Sequence, residues 1–327
     1  MKEQGLYYPD GTYSGRREVR RKLLAEELEG RSRRVSKKEA TRRDFKKWTE
    51  IVTRQQDERK ELLGIPEKVT VDIETSTPIL VPLIGDVHAG GSDIDYKRFA
   101  KDVDLIKEAR GYTIAVGDLT DSYFFMPGVG QQLVSGDEQT LYMQAALDEL
   151  SKGDRLLCAW GGDHDMWPKD KSGAHTLYSK FKETYNADYL EGVSYLTINL
   201  NDGGNIVPYR MVGSHRHKGF SVYNDAHASL RQYRDEGVMS DLSFTAHNHV
   251  KAALRQTHKF HGGDEQAIWS VALGSYKRSD RYSRKMGWPR KDDASMGAFG
   301  LILYPTTKRL EVHWTLEDAV NRLKEVV

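Results

Sequence analysis

The chain has 327 residues, enough for one large α/β domain and a smaller appendage, and 38% of them are hydrophobic, which is ordinary for a soluble protein. Its single cysteine, Cys158, excludes an internal disulfide and a cysteine-rich zinc site. No apolar stretch is long enough to span a membrane, and the first residues lack the apolar core of a signal peptide, so we expect a cytoplasmic protein.

The net charge of +1 hides an uneven distribution along the chain. Residues 1–64 contain 18 Lys and Arg against 12 Asp and Glu, and the remaining residues have an excess of acids. Helix formers over 16–29 end at Gly30, a typical C-terminal stop. We therefore predict a basic helical N-terminal segment at 1–66 and a second domain at 67–327.

A second helix of this segment is predicted to begin at Ser36, which opens a capping-box pattern, and to end near Gly64. Phe45, Trp48 and Val52 share one face of it and predict packing onto the second domain or onto another copy of the chain, in a homo-oligomer. The basic side chains could instead bind the phosphates of a nucleic acid, although the interleaved acids favour a solvated face.

Strand-like and helix-like stretches alternate along the second domain. Apolar runs typical of strands occupy 79–84, 112–116, 156–160, 209–212 and 242–245. Helix-like stretches occupy 96–109, 138–150, 175–185 and 223–236. Further strands are predicted at 251–256, 267–273, 301–304 and 310–314, and a terminal helix begins at Thr315. This order predicts an α/β fold, in which Pro82 favours an irregular or edge strand for the first run.

Five short clusters of acidic and histidine residues mostly follow these strands. They read Gly85-Asp86-Val87-His88, Gly117-Asp118-Leu119-Thr120-Asp121, Gly162-Asp163-His164-Asp165, Ser214-His215 and His247-Asn248-His249. Residues just past the C-terminal ends of strands share one edge of an α/β sheet, where such folds bind their ligands. Carboxylates and imidazoles suit divalent ions such as Mn, Fe, Co, Ni and Zn. The clusters therefore predict a two-metal site, although any one of these residues alone would be interpreted as structural.

The residue types fit the hydrolysis of a phosphoester. Two metals about 3.5 to 4 Å apart can hold a bridging hydroxide as the nucleophile and bind the phosphoryl oxygens. A bridge between them needs a carboxylate, which suits Asp118. The leaving group then needs a proton, and an imidazole supplies one near neutral pH. His164, which precedes Asp165, resembles a histidine oriented by an acid.

The five clusters, in this order, resemble the signature of the calcineurin-like metallophosphoesterase superfamily. The resemblance covers roughly 79–250 and implies a four-layer α-β-β-α sandwich of two mixed sheets. It implies two divalent ions, with manganese expected and Fe, Ni, Co or Zn as alternatives. The implied ligands are Asp86, His88 and His249 for the first metal, Asp118 for both, and Asp163, His215 and His247 for the second. His164 would face the phosphate or the leaving group without binding metal, and Asp163 would also contact the substrate.

Two residues depart from the superfamily's pattern. Asp163 stands where asparagine is usual, and a carboxylate cannot donate the hydrogen bond that an amide donates to phosphate. We expect a competent site with an altered metal preference or a slower rate, with inactivity as the alternative. Ala246 stands where glycine is usual, which is a small steric change. His217 competes with His215 for the fourth motif, and we favour His215 because it comes first after its strand.

A basic segment at 275–291 contains seven Lys and Arg interleaved with Tyr276, Tyr282 and Trp288. Its lack of periodicity predicts a long loop. The segment could hold a nucleic-acid strand by its phosphates and bases, or be a surface loop with its aromatic side chains packed beneath it.

The resemblance and the basic segments together favour a phosphodiesterase or nuclease acting on DNA. The chain is similar in this respect to the superfamily's DNA-repair exonucleases and to phosphoesterases encoded by phages, so we expect it in the cytoplasm of a bacterial or phage-infected cell. The second motif lacks the Arg-Gly that follows it in protein phosphatases, which counts against that class. A small-molecule or nucleotide phosphatase or phosphodiesterase and a non-catalytic, metal-stabilised nucleic-acid-binding or assembly module stay as alternatives.

Overall fold

A computed structural model shows how these elements are arranged. It describes residues 45–63, 65–123, 128–172, 177–178, 181–219, 221, 223–259, 265–279, 284–285, 287 and 290–327. The chain divides into two units, Met1–Gly64 and Ile65–Val327, close to the boundary predicted after residue 66.

The first unit is described by one helix, α1 (Phe45–Leu63), which ends where the sequence predicted. The predicted helix over 16–29 and the predicted start at Ser36 lie outside the described residues. Phe45, Trp48 and Val52 are exposed on α1, so the packing of this face onto another surface stays a prediction.

The second unit is built on two six-stranded mixed sheets. The first sheet has the order β12-β11-β2-β3-β4-β5, and the second has the order β1-β6-β7-β8-β10-β9. The strands of the first sheet are β2 (Ile79–Ile84), β3 (Thr113–Val116), β4 (Leu156–Trp160), β5 (Asp188–Leu190), β11 (Phe299–Leu303) and β12 (Leu310–His313). Those of the second are β1 (Lys68–Glu74), β6 (Ser194–Asp202), β7 (Asn205–Ser214), β8 (Leu242–Thr245), β9 (Ala252–Lys259) and β10 (Glu265–Ala272).

The strands that precede the motifs run parallel to one another within each sheet. β2, β3, β4 and β5 are parallel neighbours, and β7 is parallel to β8. Consecutive parallel strands therefore present their C-terminal ends, and the loops that follow them, at a common edge.

The prediction of an edge or irregular strand at Pro82 is wrong. β2 lies inside the first sheet, between β11 and β3, and Pro82 is in register with Gly300 of β11. The parallel ladder with β3 begins only at Leu83, so it starts beyond the residue that lacks an N–H.

The main core lies between the two sheets. Val81, Leu83 and Ile114 of the first sheet and Phe244 and Val271 of the second belong to one buried cluster. Trp160 of β4 is completely buried there and packs edge-to-face on Phe244. Because the sheets bury these inner faces against each other, the loops at their ends are held in fixed relative positions.

Helices cover the outer faces of both sheets. They are α2 (Tyr96–Glu108), α3 (Gly136–Ser151), α4 (Asp163–Ser172), α5 (Phe181–Tyr185), α6 (His227–Glu236) and α7 (Leu316–Val326). α7 packs on β11 and β2 of the first sheet, whereas α6 packs on β8 and β10 of the second. The layers are therefore helix, sheet, sheet and helix, which confirms the predicted sandwich.

Some predicted boundaries were wrong. The helix predicted over 223–236 begins only at His227, because Asn224 forms a turn in which its side chain accepts from the N–H of Ala226. The stretch predicted as a helix over 175–185 is helical over Phe181–Tyr185, and residues 177–178 form a turn. Within the described residues, no helix is long and apolar enough to cross a membrane.

Candidate metal centre

All seven predicted ligands lie just beyond the C-terminal end of a strand, and Asp163 is the one that follows β4. Asp86 and His88 follow β2, and Asp118 follows β3, in the first sheet. The second sheet contributes the histidines that follow β7 and β8, namely His215, His247 and His249. The two sheets meet at this point, because the backbone N–H of His247 donates to Asp86 Oδ2 at 2.8 Å. One edge of the sandwich thus collects ligands from both sheets.

Asp86, His88 and His249 form a first group that could hold a metal ion, with one ligand atom of each lying within 4.8 Å of the others. His249 Nε2 is 3.5 Å from Asp86 Oδ1 and 2.9 Å from His88 Nε2. The other ring nitrogen of His88 lies 3.0 Å from the carboxylate of Asp121, where an N–H must donate. His88 Nε2 is therefore left with its lone pair towards the group, as in a histidine that binds metal.

Asp118, His215 and His247 form a second group of the same kind. The first and second groups approach each other at Asp118, because its Oδ2 is 3.1 Å from His215 Nε2 and 3.8 Å from His88 Nε2. A carboxylate in this position can serve ions in both groups, as predicted for a bridging ligand.

Buried polar atoms without partners show that a cation fits here. Asp86 Oδ1, His215 Nε2 and His247 Nδ1 are buried and have no hydrogen-bond partner among the described residues. Such atoms each cost roughly 1 to 3 kcal/mol if left unpaired. All three can act as ligand atoms, and a mixed carboxylate and imidazole set suits a divalent transition metal. The residues present therefore fit the two ions that the motifs predict.

Burial and neighbouring charges shift the pKa values of the predicted ligands in different directions. His215 Nδ1 lies 3.0 Å from the carbonyl oxygen of Val116 and must donate to it, so Nε2 would face the Asp118 carboxylate with a lone pair. Burial alone would lower the pKa of His215, but the carboxylates of Asp118 and Asp86 raise it to about 10. Burial raises the pKa of Asp86 to about 8. Burial lowers the pKa of His88 to about 4 and lowers the pKa of His247.

The backbone is strained at five of the seven predicted ligands. Their φ angles are in the left-handed region that favours glycine: Asp86 (50°), His88 (52°), Asp118 (47°), His247 (70°) and His249 (55°). Each such residue costs about 1 kcal/mol or more and persists only where the surrounding structure holds it. Strain concentrated at one set of side chains is typical of a functional site.

Two motif glycines allow the loops to approach closely. Gly117 has a φ of 66°, and a Cβ on it would lie 2.5 Å from His215 Nδ1. A Cβ on Gly162 would collide with the backbone N of Asp118. Gly117 and Gly162, which precede Asp118 and Asp163, therefore leave room for the neighbouring loops to pack around Asp118.

Asp163 lies at the margin of the second group. It opens α4, and its Oδ2 is 3.5 Å from His247 Nδ1 and 3.3 Å from Arg216 Nη1. Its role as a metal ligand stays a prediction. Ala246, the other departure from the superfamily pattern, is accommodated, because it is buried in the main core and its N–H donates to the carbonyl of His215 at 2.9 Å.

His164 lies beside the bridging position. Its backbone N–H donates to Asp118 Oδ1 at 2.8 Å, and its Nδ1 is 2.6 Å from the carbonyl oxygen of Asp121. Trp167 stacks on the ring, with centroids 4.0 Å apart. His164 also forms a group with His88 and Asp118 that could hold a metal ion. Its role in catalysis without metal binding stays a prediction.

The predicted interaction between Asp165 and His164 is wrong. The buried Asp165 carboxylate accepts from the backbone N–H groups of Leu119 and Thr120 and from the hydroxyls of Thr120 and Tyr178. Asp165 thus holds the loop after Asp118, and it is Asp121 that contacts His164. Adjacent side chains at the start of a helix point in different directions, which adjacency in the sequence does not reveal.

Three cations beside the site were not identified from the sequence as site residues. Lys277 Nζ lies 3.2 Å from the Asp121 carboxylate, and Lys291 Nζ is 3.4 Å from the carbonyl of Lys277. Burial, followed by the positive charge of Lys291, lowers the pKa of His249 well below its usual range. Arg216 contacts Asp163 at the other side of the site. The excess of basic residues over 275–291 was the available signal for two of them.

The segment over 275–291 differs in part from a nucleic-acid-binding loop. Tyr276 is completely buried, and its hydroxyl donates to Asp102 at 2.6 Å, so it cannot stack on a base. Tyr282 and Trp288 lie outside the described residues. The aromatic side chain that is described therefore belongs to the core, while Lys277 reaches the site.

His215 and His217 are placed in different surroundings. His215 lies against Asp118, whereas His217 Nε2 is 3.9 Å from Asp235, on α6. β7 ends at Ser214 and the chain bends at His215, so the two side chains lack the common direction that residues two apart have in an extended strand. The geometry favours His215.

Comparisons with known proteins add three structures with low sequence identity. A protein-family search gives no match, and none of the curated proteins matches. A metallophosphoesterase from Sphaerobacter thermophilus aligns over 76% of this chain and 100% of its own, with 13% identity and a TM-score of 0.34. The calcineurin-like phosphoesterase YfkN from Bacillus subtilis aligns over 77% and 96%, with 11% identity and a TM-score of 0.34. GAP50, the anchor in the inner membrane complex of Plasmodium, aligns over 76% and 95%, with 11% identity and a TM-score of 0.35. Because the TM-scores are below 0.5, no function is inferred from these matches. The proposed function rests on the residues of the site.

Proposed function

We propose that the protein is a dinuclear-metal-dependent phosphoesterase, and more specifically a phosphodiesterase that acts on DNA. The position of Asp118 carries the first part of this proposal. Its Oδ2 lies between a histidine of each ligand group, so one carboxylate can connect two ions. When bound, two divalent ions would activate a water molecule and offset the negative charge of the phosphoryl group.

The protein's own residues would hold and position these components. His88 and His215 each donate Nδ1–H to a fixed acceptor, Asp121 and Val116 respectively, which directs Nε2 towards the ligand groups. His164 is held by its backbone N–H to Asp118, and it would contact the phosphate or protonate the leaving oxygen.

The charge around the site supports an anionic substrate. Arg216, Lys277 and Lys291 flank the ligand groups on both sides. A DNA strand offers repeated phosphates to such side chains, and this supports DNA over a small monoester.

Turnover of bis-p-nitrophenyl phosphate in added manganese tests the first part. We expect activity that is lost on chelation and restored by the metal. The same assay on plasmid and linear DNA tests the second part. Hydrolysis of p-nitrophenyl phosphate and nucleotides without cleavage of DNA would identify a small-molecule phosphatase, and tight DNA binding without turnover of any substrate would identify a binding module.

Deletion of residues 1–64 tests whether the basic segment contributes to DNA binding. We expect weaker DNA binding with a flatter salt dependence, and unchanged turnover of the chromogenic diester. An insoluble product, or a change from oligomer to monomer in light scattering with DNA binding intact, would show that the exposed face of Phe45, Trp48 and Val52 serves packing instead.

A further inference from the structure

An ion pair that joins two separate motifs lies next to the second ligand group. Arg216 Nη1 is 3.3 Å from Asp163 Oδ2, and the two residues are 53 positions apart in the sequence. The same carboxylate oxygen is 3.5 Å from His247 Nδ1, one of the buried atoms that lack a hydrogen-bond partner. The Asp163 carboxylate therefore contacts both the guanidinium of Arg216 and the candidate ligand His247.

The carboxylate alone would oppose the binding of phosphate. Asp163 adds a negative charge at the margin of the site, and an ionised carboxylate offers no hydrogen-bond donor. A phosphoryl group placed at the second ligand group would be repelled by this charge at short range, where solvent screens it least.

Arg216 can reverse both effects. A guanidinium has five N–H donors in a planar fork, and a contact with one carboxylate oxygen leaves most of them available. Charge-assisted hydrogen bonds from arginine to phosphate oxygens are among the strong ones.

We infer that Asp163 and Arg216 form one functional unit, in which Arg216 neutralises Asp163 and presents donors to the substrate phosphate at the second ligand group. This inference rests on the proposed function. Arg216 is then a phosphate-binding residue, and Asp163 positions it.

The exposure of the pair agrees with this role. The Arg216 side chain is 65% exposed and that of Asp163 is 39% exposed. Ion pairs with this much solvent contact contribute little to folding stability. Binding of a substrate phosphate therefore explains the position of the pair better than stabilisation of the fold does.

A double-mutant cycle tests the unit through the binding of inorganic phosphate and through kinetics on bis-p-nitrophenyl phosphate. The variants are R216Q, D163N and D163N/R216Q, with K218Q as a matched control. Lys218 carries the same charge in the same loop but pairs with Asp235 on α6, at 3.2 Å. Metal content and melting temperature are measured for every variant.

We expect R216Q to weaken phosphate binding and raise KM by tenfold or more, with a smaller change in kcat and with metal content and melting temperature close to wild type. K218Q should change phosphate binding less than twofold. In the D163N background, removal of Arg216 should weaken phosphate binding less than threefold, because no carboxylate is left to neutralise or to hold the guanidinium at the phosphate.

Other outcomes contradict the inference in distinguishable ways. An effect of R216Q no larger than that of K218Q would remove Arg216 from the site. Equal losses on removing Arg216 in both backgrounds would show that it binds phosphate without Asp163 and would overturn the unit. If wild type binds phosphate in manganese but turns over no phosphoester, the proposed function fails while the binding measurements still decide the role of the pair.

Discussion

The predicted ligands fall into two sets of different exposure, and the division does not follow the sheets. Four are almost fully buried, with side-chain exposures of 0% for Asp86, 2% for His88, 1% for Asp118 and 4% for His215. The other three are more open: Asp163 is 39% exposed, His247 is 29% exposed and His249 is 22% exposed. We call these the buried half and the open half. The comparison indicates that the buried half fixes the geometry, while the open half faces the side from which a substrate can enter.

The buried half is held by hydrogen bonds between its own loops. The N–H groups of Asp86 and His88 donate to the carbonyls of Gly117 and Asp118, at 3.0 and 2.9 Å, and Asp165 binds the loop from the other side. The open half is joined to it by the bond from His247 N–H to Asp86. Substitutions in the two halves should therefore have different consequences.

The largest effect is expected at Asp118, where the first and second ligand groups meet. Asp118→Ala should lose both metals and at least about 10³-fold in kcat/KM, because electrostatic stabilisation is usually the largest contribution to catalysis. His247→Ala, in the open half, should retain the ion of the first group. Elemental analysis of the purified variants measures the metals, and equal metal content in Asp118→Ala and wild type would contradict the assignment.

The next effect is expected at His164, which should act in catalysis and not in metal binding. His164→Ala should keep both metals and lose about 10² to 10⁴-fold in rate on DNA, the usual range for general acid and base assistance. The loss should be smaller with a p-nitrophenolate leaving group, which needs little help from a proton. Equal losses on both substrates would indicate phosphate binding, and loss of metal would make His164 a ligand.

A third substitution tests how the buried half is held. Asp165→Asn exchanges an acceptor of four hydrogen bonds for an amide that can accept fewer, and we expect the free energy of unfolding to fall by roughly 3 kcal/mol. Asp235→Asn is the control, since it removes an exposed surface pair and should leave the free energy of unfolding almost unchanged. Denaturant unfolding of the metal-free proteins measures both, and similar values would show that Asp165 does not hold the loop.

The smallest effect concerns the strained backbone at the ligands. At His249, with a φ of 55°, glycine should be more stable than alanine by about 1 kcal/mol, because only glycine adopts this conformation without strain. At Asp104, an exposed position within α2, alanine should be more stable than glycine by a similar amount, because glycine disfavours a helix interior. Denaturant unfolding in the presence of a chelator measures all four variants. A higher free energy of unfolding for the alanine variant than for the glycine variant at both positions would contradict the strain.

The sequence predicted the site better where the signal is local. The apolar runs before the motifs gave β2 and β4 at their observed bounds, and the ligand types after them predicted which residues would meet. β1 and β6 were missed although buried residues alternate with less buried ones along both strands, because charged and polar residues occupy many of the outward positions. The pair of Asp163 and Arg216 could not be predicted, since no local pattern joins residues on different sheets. Nor does any pattern in Asp86 or His249 indicate a left-handed backbone.

The meeting of the two sheets at one set of ligands also has a consequence for folding. His88 and His249 are separated by 161 residues, so the site can form only after most of the second unit has been assembled. Ions bound there would act as reversible cross-links that close this long loop and favour the folded state by mass action. The metal concentration around the protein would then govern how often this edge of the sandwich opens, and amide hydrogen exchange in the strands next to the ligands would report it.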